Sequence, residues 1–156
     1  MKAYRTLVLL AALALAGGGC ASPFPSQVTV SLDKSWLYRV ETLPSIEVNL
    51  VGVGAAETHL WETYSMTKYW RPGDRLRAET DKAVLQFGAG RPLSQTLKSS
   101  DPIWERWREA GITTIFILAD LPGLYSDLPG DADPRRSVLP VKTTAPNIEV
   151  IILPQK

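Results

Sequence analysis

Residues 112–119, with the sequence ITTIFILA, form the stretch that most clearly indicates the fold. The stretch is rich in β-branched residues, which favour extended backbone. Toward its end it is apolar at consecutive positions, and a short continuous apolar run is typical of a strand that is buried on both faces. We therefore expect a central, fully buried strand here.

Six further segments have the pattern of shorter strands. Residues 27–32 (QVTVSL) and 46–51 (IEVNLV) alternate polar and apolar side chains, which predicts strands with one buried face. The other four segments are 83–87, 93–97, 137–142 and 147–153. Pro140 lies within one of them, and proline favours the edge of a sheet because it has no backbone N–H to donate.

One clear helix interrupts these strands. Asp101 is placed to cap it and Gly111 to end it, with Pro102 at the first helical position. The predicted helix runs over residues 103–110, and Ile103, Trp107 and Ala110 share the face that we expect to pack inward.

Residues 57–70 lack the alternation of a strand and indicate one or two short helical turns, with Ser65 as an N-cap. Regular crossover helices do not separate the strands. The pattern therefore predicts a mainly β fold, an antiparallel β-sandwich of about seven short strands with one inserted α-helix and a short helical segment.

The start of the chain has the layout of a secretory signal peptide. Lys2 and Arg5 precede an uncharged apolar stretch over residues 6–16, and three glycines follow. The apolar stretch is shorter than the roughly 20 residues that a membrane-spanning helix needs. We predict a signal peptide over residues 1–19, a lipidated tether over 20–26 and a single β-sandwich domain over 27–156.

Cys20 is the only cysteine of the chain, so an intramolecular disulfide cannot explain it. A cysteine directly after small residues resembles the lipobox of bacterial lipoproteins. In that family the thiol receives a diacylglyceryl group and the new amino terminus is acylated, which implies lipid attachment at Cys20. Gly17 stands where the family usually has Leu, and the alternative is a passive residue beside an ordinary cleavage site. By the same resemblance Ala21, rather than Asp, favours the outer membrane, facing the periplasm.

Charge and motifs exclude several classes of function. Without Lys2 and Arg5, the 17 basic residues become 15 against 16 acidic residues, a net charge of about −1 with no basic patch for nucleic acid. His59, the only histidine, has only Glu57 and Glu62 nearby as further metal ligands, and no nucleophile-elbow pattern surrounds any serine. We therefore expect no catalytic, metal or cofactor site.

Two groups of residues have alternative interpretations. Asp127, Asp131 and Asp133, with Gly130, could bind a hard cation, but a turn in which they satisfy local backbone groups is the favoured reading. A second group of aromatic residues lies within ten positions and forms either a buried cap or an exposed contact surface, with burial favoured: Trp61, Tyr64, Tyr69 and Trp70.

The connection between the first two strands, residues 33–45, is long for a hairpin loop and contains Trp36, Leu37 and Tyr38. A lipidated start, strand, long loop, strand, helical insertion and further strands resembles the outer-membrane lipoprotein of type VI secretion systems. That family has a transthyretin-like β-sandwich, and its loop between the first two strands contacts the large inner-membrane subunit. The resemblance implies that these three residues contact a protein partner.

An uncharacterised small lipoprotein with a transthyretin-like or immunoglobulin-like sandwich fits the same order of elements. We expect a lipid-anchored, non-enzymatic envelope protein that acts as a scaffold or recruits a partner. Compared with the aromatic group of residues 61–70, the loop that contains Trp36 is the better candidate for an exposed aromatic surface. The alternatives are a glycan-binding lipoprotein with an aromatic surface and a hydrolase with an unrecognised site.

Overall fold

The computed structural model describes residue 25, residues 27–142 and residues 147–154; Cys20 and the predicted leader lie outside these ranges. The described chain contains seven strands: β1 (Gln27–Leu32), β2 (Ile46–Val53), β3 (Lys82–Phe87), β4 (Ser94–Leu97), β5 (Thr114–Ala119), β6 (Arg136–Pro140) and β7 (Asn147–Ile152). It also contains five short helices and a 3₁₀ turn: α1 (Trp36–Arg39), α2 (Thr58–Thr63), α3 (Met66–Tyr69), α4 (Arg75–Glu79), α5 (Ile103–Glu109) and Gly130–Ala132.

The strands form two sheets, with the orders β4-β1-β7 and β3-β2-β5-β6. Their inward-facing side chains belong to one apolar cluster, which includes Val30 of β1, Val48 of β2 and Ile117 of β5. The predicted mainly β sandwich with inserted helices is therefore confirmed. One pair departs from the antiparallel rule, because β1 and β7 are parallel. Since β7 follows β6 of the other sheet, no hairpin turn fixes its direction.

Strand β5 has the central position that its sequence predicted. It lies between β2 and β6, and all six of its residues are buried. Strand β6, which contains Pro140, lies at the edge of the same sheet, as predicted.

Helix α5 packs into the core between the sheets. Its first turn is capped by Asp101, whose Oδ1 accepts a hydrogen bond from the Ile103 N–H at 2.9 Å. Ile103, Trp104 and Trp107 are buried, but Ala110 is exposed, so its predicted inward position is wrong. The helix ends at Glu109, and Trp104 occupies the buried face instead.

Helices α2 and α3 cover the outer face of the four-stranded sheet. Trp61, Met66 and Tyr69 pack there against a second apolar cluster that includes Phe116 of β5. Ser65 caps α3 as predicted, since its Oγ accepts from the Lys68 N–H at 2.9 Å. Within the described ranges, every helix is too short or too polar to cross a membrane.

Candidate functional site

Loops gather at one end of the sandwich, which we call the loop end. The last residue of β1, Leu32, pairs with Ile152 at the end of β7. On the other sheet, the Asp120 N–H donates to the Glu47 carbonyl at 2.8 Å. Asp120 directly follows β5, and Glu47 is the second residue of β2. This register brings together the segments 33–45, 88–93, 120–135 and 153–154.

Helix α1 divides the three predicted contact residues between core and surface. Asp33 begins the turn, because its carboxylate accepts hydrogen bonds from the Ser35 hydroxyl and, at 2.8 Å, the Ser35 N–H. These bonds lower the pKa of Asp33. Leu37 and Tyr38 point outward and are 54% and 88% exposed.

The expectation that Trp36 is exposed is wrong. Its side chain is 5% exposed, and its Nε1–H donates to the Ile152 carbonyl at 3.0 Å. Trp36 joins the core because this bond satisfies its one polar atom while the ring covers the open end of the two sheets. Of the predicted contact residues, Leu37 and Tyr38 remain accessible.

A groove of about 540 Å³ lies beside α1. It is lined by an edge of Trp36 and by Arg39, Val40, Pro44, Pro122 and Pro154. Three of these six residues are prolines, whose fixed φ angles limit the ways in which the groove walls can rearrange.

A second groove, of about 410 Å³, lies on the other side of Pro122. Trp70, Arg71, Asp120 and Tyr125 are among its lining residues. Partial desolvation raises the pKa of Asp120; Arg77 opposes this rise and Glu47 adds to it. Tyr125 is 79% exposed, so the groove has one open aromatic wall.

Arg135 holds the loop that forms one wall of the second groove. It is 3% exposed, and its Nε and Nη2 atoms donate to the two carboxylate oxygens of Asp133 at 3.0 and 2.9 Å. Nη2 also donates to Asp127 at 2.9 Å, and Nη1 to the Leu124 carbonyl at 3.1 Å and the Thr67 hydroxyl at 3.2 Å. One guanidinium therefore joins the loop 124–133 to α3.

The same contacts set the protonation of the two carboxylates. Burial alone would raise the pKa of Asp127, but hydrogen bonds from Ser65, Thr67 and Arg135 outweigh it and hold the pKa at about 2. Burial also opposes ionisation of Asp133, and its hydrogen bonds with Arg135 and the Leu128 N–H lower its pKa nevertheless. Both side chains are therefore charged partners of Arg135 at neutral pH.

Arg136 makes a second buried attachment, to the end of α2. It is 4% exposed and donates to the carbonyls of Glu62 and Tyr64. A cation at the carboxyl end of a helix is favoured by the helix dipole. Together the two arginines fasten the long loop to the helices on the outer face of the sheet.

The turn interpretation of the acidic loop is confirmed for two of its residues. Asp133 accepts hydrogen bonds from the backbone N–H groups of Leu128 and Arg135, and Asp131 accepts one from Val138 at 2.5 Å. Within the described residues, His, Cys, Asp and Glu side chains form no group of three that could hold a metal ion. His59 is exposed on α2.

The aromatic group of residues 61–70 is mostly buried, as favoured. Trp61 and Tyr69 are 3% and 0% exposed, whereas Tyr64 and Trp70 are partly buried. Burial raises the pKa of Tyr69 to about 12, against a hydrogen bond from Asn49 that lowers it. Trp61 and Tyr69 therefore belong to the core, and Trp70 reaches the surface where it lines the second groove.

No protein-family model, curated protein or solved structure matches the chain.

Proposed function

We propose that this chain is a lipid-anchored, non-enzymatic protein of the bacterial cell envelope, held at the outer membrane through Cys20, that recruits a protein partner with its loop end. The observation that carries the proposal is the exposure of Leu37 and Tyr38 at the end of the sandwich opposite the point where the tether enters.

The position of the tether supports this orientation. The tether over residues 20–26 leads into Gln27, the first residue of β1, whereas the segment 33–45 leaves from Leu32, the last. Five residue steps at about 3.3 Å each separate these points by about 17 Å. With the lipid at one end of β1, the loop end faces away from the membrane and toward proteins of the periplasm.

The surface chemistry of the loop end also supports a protein partner. Leu37, Tyr38 and Tyr125 are large side chains that are each more than half exposed. Tyr125 lines the second groove, and Leu37 and Tyr38 lie on α1, whose Trp36 and Arg39 line the first. Tyrosine is enriched among the residues that contribute most to protein interfaces. Exposed apolar groups that are close together, rather than scattered singly, mark interaction surfaces.

Hydrogen bonds of buried side chains hold this surface in place before a partner binds. Arg135 fixes the loop that carries Tyr125, and the Trp36 hydrogen bond fixes the turn that carries Tyr38. A loop that is already ordered loses less conformational entropy when a partner binds. The backbone that carries the proposed contact residues is therefore already ordered, which lowers the entropy cost of binding.

Site-specific photo-crosslinking in the producing cells tests the proposal. Tyr38 is replaced by p-benzoylphenylalanine, and the matched control carries the same group at Leu60, which is 48% exposed on α2. We expect one discrete protein adduct from position 38 that is absent from position 60. Fatty-acid labelling and membrane fractionation of a Cys20→Ser variant test the anchor in parallel.

Two results would contradict the proposal. Identical adducts, or none, from positions 38 and 60 would show that the loop end does not recruit a partner. Retention of the Cys20→Ser variant in the membrane fraction, without fatty-acid label in the wild-type protein, would remove the lipid anchor.

A second candidate function is glycan binding at the second groove. Trp70 and Tyr125 supply aromatic surface there, and Asp120 and Arg71 supply hydrogen-bonding groups for sugar hydroxyls. Calorimetric titration with envelope oligosaccharides tests it. Binding that Tyr125→Ala removes and Tyr38→Ala leaves intact would favour this candidate over protein recruitment.

A further inference from the structure

The two sheets have four edge strands within the described residues, and three of them have features that discourage pairing with another strand. Strand β6 contains Pro140, and β4 is only four residues long. On β3, the Gln86 carbonyl already accepts a hydrogen bond from the Gln95 side chain at 2.5 Å. Proline, short length and covered backbone groups are ways in which proteins protect sheet edges.

Strand β7 lacks these features. Its sequence NIEVII continues to Leu153 with Glu149 as its single charge, and the nearest prolines, at positions 146 and 154, lie outside the strand. Ile151 and Leu153 are each 60% exposed. A long, apolar edge of this kind is a template for pairing with another strand.

The direction of the backbone groups on β7 follows from one hydrogen bond. The Ile152 carbonyl accepts from the Asp33 N–H at 3.0 Å, so the backbone groups of Ile152 face β1. Because these groups alternate along a strand, those of Glu149 and Ile151 face the opposite, open side. In the described part of the chain, no hydrogen bond is formed by the backbone groups of Glu149, Ile151 or Leu153.

The sandwich is also open beside this edge. A cavity of about 280 Å³ lies between the sheets there. Its apolar lining includes Ile117 and Ala119 of β5 and Val150 and Ile152 of β7, and Arg135, Arg136 and Ser137 line it on the side of β6. An apolar cavity of roughly 150 Å³ can hold a molecule as large as benzene. The inward-facing side chains of an added strand would therefore find space beside apolar side chains of both sheets.

We propose that β7 binds an extended segment of a partner protein, which adds to the three-stranded sheet as a fourth strand. The segment carries apolar side chains at the alternate positions that face the cavity and a basic side chain opposite Glu149, which is exposed and forms no ion pair with a described residue. Main-chain hydrogen bonds supply affinity in this mode, and the alternating side chains supply specificity. The inference rests on the proposed recruitment of a partner and names the way in which it binds.

A segment of another protein fits this edge better than a second copy of the chain. Two copies related by a twofold axis would pair their β7 strands antiparallel. Since β1 is parallel to β7, the two Gln27 residues would then lie at opposite ends of the combined sheet. The two lipid attachment points would therefore lie at opposite ends of the dimer, and they could not both insert into one membrane.

The edge also continues into the proposed partner surface. Pro154, directly after the exposed Leu153, lines the groove beside α1 together with Trp36 and Arg39. The end of β7 and the groove beside α1 are therefore neighbouring parts of the proposed partner surface.

The test uses the full chain, purified in detergent, and a phage-displayed library of random nonapeptides. We expect enriched peptides to alternate apolar residues and to carry a lysine or arginine. Ile151→Pro removes a backbone N–H that faces the open side and breaks no hydrogen bond to β1. It should therefore weaken binding of the synthesised peptides at least tenfold without changing the melting temperature by more than a few degrees. Ile151→Thr keeps the N–H and should weaken binding less.

A matched control distinguishes loss of pairing at the open edge from loss of stability of the fold. Val150→Pro removes an N–H that faces β1, so it should lower the melting temperature, unlike Ile151→Pro. Glu149→Lys should reduce the affinity for the basic peptides severalfold.

Three outcomes of the binding experiments would overturn the inference. They are a library without enriched peptides, peptide binding that Ile151→Pro leaves unchanged, and self-association of the wild-type chain that Ile151→Pro abolishes. If the adduct formed at position 38 persists in the Ile151→Pro variant, strand addition is wrong while partner recruitment stands. If peptides bind β7 but no adduct forms at position 38, recruitment through the loop end is wrong instead.

Discussion

The Nη2 atom of Arg135 lies 2.9 Å from Oδ2 of Asp133, and the two side chains are 3% and 0% exposed. A second bond, from Nε to Oδ1 at 3.0 Å, makes the pair bidentate. Such paired bonds between ionised groups are among the strongest hydrogen bonds in proteins, and they fix geometry as well as adding energy. The position of the loop 124–133, and of the groove walls that it forms, depends on this pair.

Asp133→Asn is expected to destabilise the protein by about 3 kcal/mol, because it leaves a buried guanidinium without its bidentate, fully buried counter-charge. Urea denaturation at pH 7 measures the change. Asp81→Asn is the matched control, since Asp81 pairs with Arg106 at the surface, where both side chains are about half exposed. An exposed pair contributes about 1 kcal/mol or less. Equal losses in the two variants would contradict the role of the buried pair.

Acid is expected to loosen the same loop. Asp127 has a pKa of about 2 in the folded protein, below the value of about 3.9 in an unfolded chain. Its contribution to stability is therefore complete above about pH 4 and is lost as the pH falls toward 2. Urea midpoints between pH 7 and pH 2.5 measure this dependence. The Asp127→Asn variant should be less stable at pH 7 and should have a shallower slope below pH 4, whereas parallel curves would contradict the prediction.

Gly52→Ala is expected to cost about 1–3 kcal/mol, because overpacking a filled core forces side chains from their preferred positions. A Cβ atom on Gly52 would lie 2.8 Å from three ring atoms of Trp107. Chemical denaturation measures the loss. Gly54→Ala is the control, since a Cβ there would have no neighbour within 4 Å. The prediction is wrong if the two alanine variants unfold at the same denaturant concentration.

Neighbouring residues of α1 are expected to respond in opposite ways. Trp36→Ala should cost about 3–5 kcal/mol, as truncation of a large buried aromatic residue usually does. Tyr38→Ala should change stability by about 0.5 kcal/mol or less, because its side chain is 88% exposed. Denaturation midpoints measure stability, and crosslinking measures partner contact. A stability loss for Tyr38→Ala comparable to that for Trp36→Ala would show that Tyr38 supports the fold rather than forming a contact surface.

Local signals in the sequence predicted the elements well. Residues 27–32 alternate polar and apolar side chains, and β1 has these bounds. The caps at Ser65 and Asp101 were also predicted correctly, because capping depends on side chains within three residues of the helix start. Helix α4 was missed. Its sequence RLRAE has no buried residue, so it lacks the apolar face by which a helix is recognised.

The candidate surface was predicted only in part. The length of the segment 33–45 and its aromatic content indicated a contact loop, but its sequence did not distinguish buried Trp36 from exposed Tyr38. The Trp36 bond joins it to Ile152, 116 residues away, and no local pattern indicates such a partner. Pro122 and Pro154 line the same groove and were not identified for the same reason.

The sequence by itself predicted the type of most elements correctly, because element type depends on residues close together in the chain. The export signal over residues 1–19 and the lipid site at Cys20 come from the same local patterns and stay predictions. Only the tertiary structure decided which strands are neighbours, that β7 pairs parallel with β1, and that Arg135 lies between Asp127 and Asp133. These features result from packing between distant segments. A strand's alternation specifies which face is buried, but it leaves open what covers that face and which edge remains free.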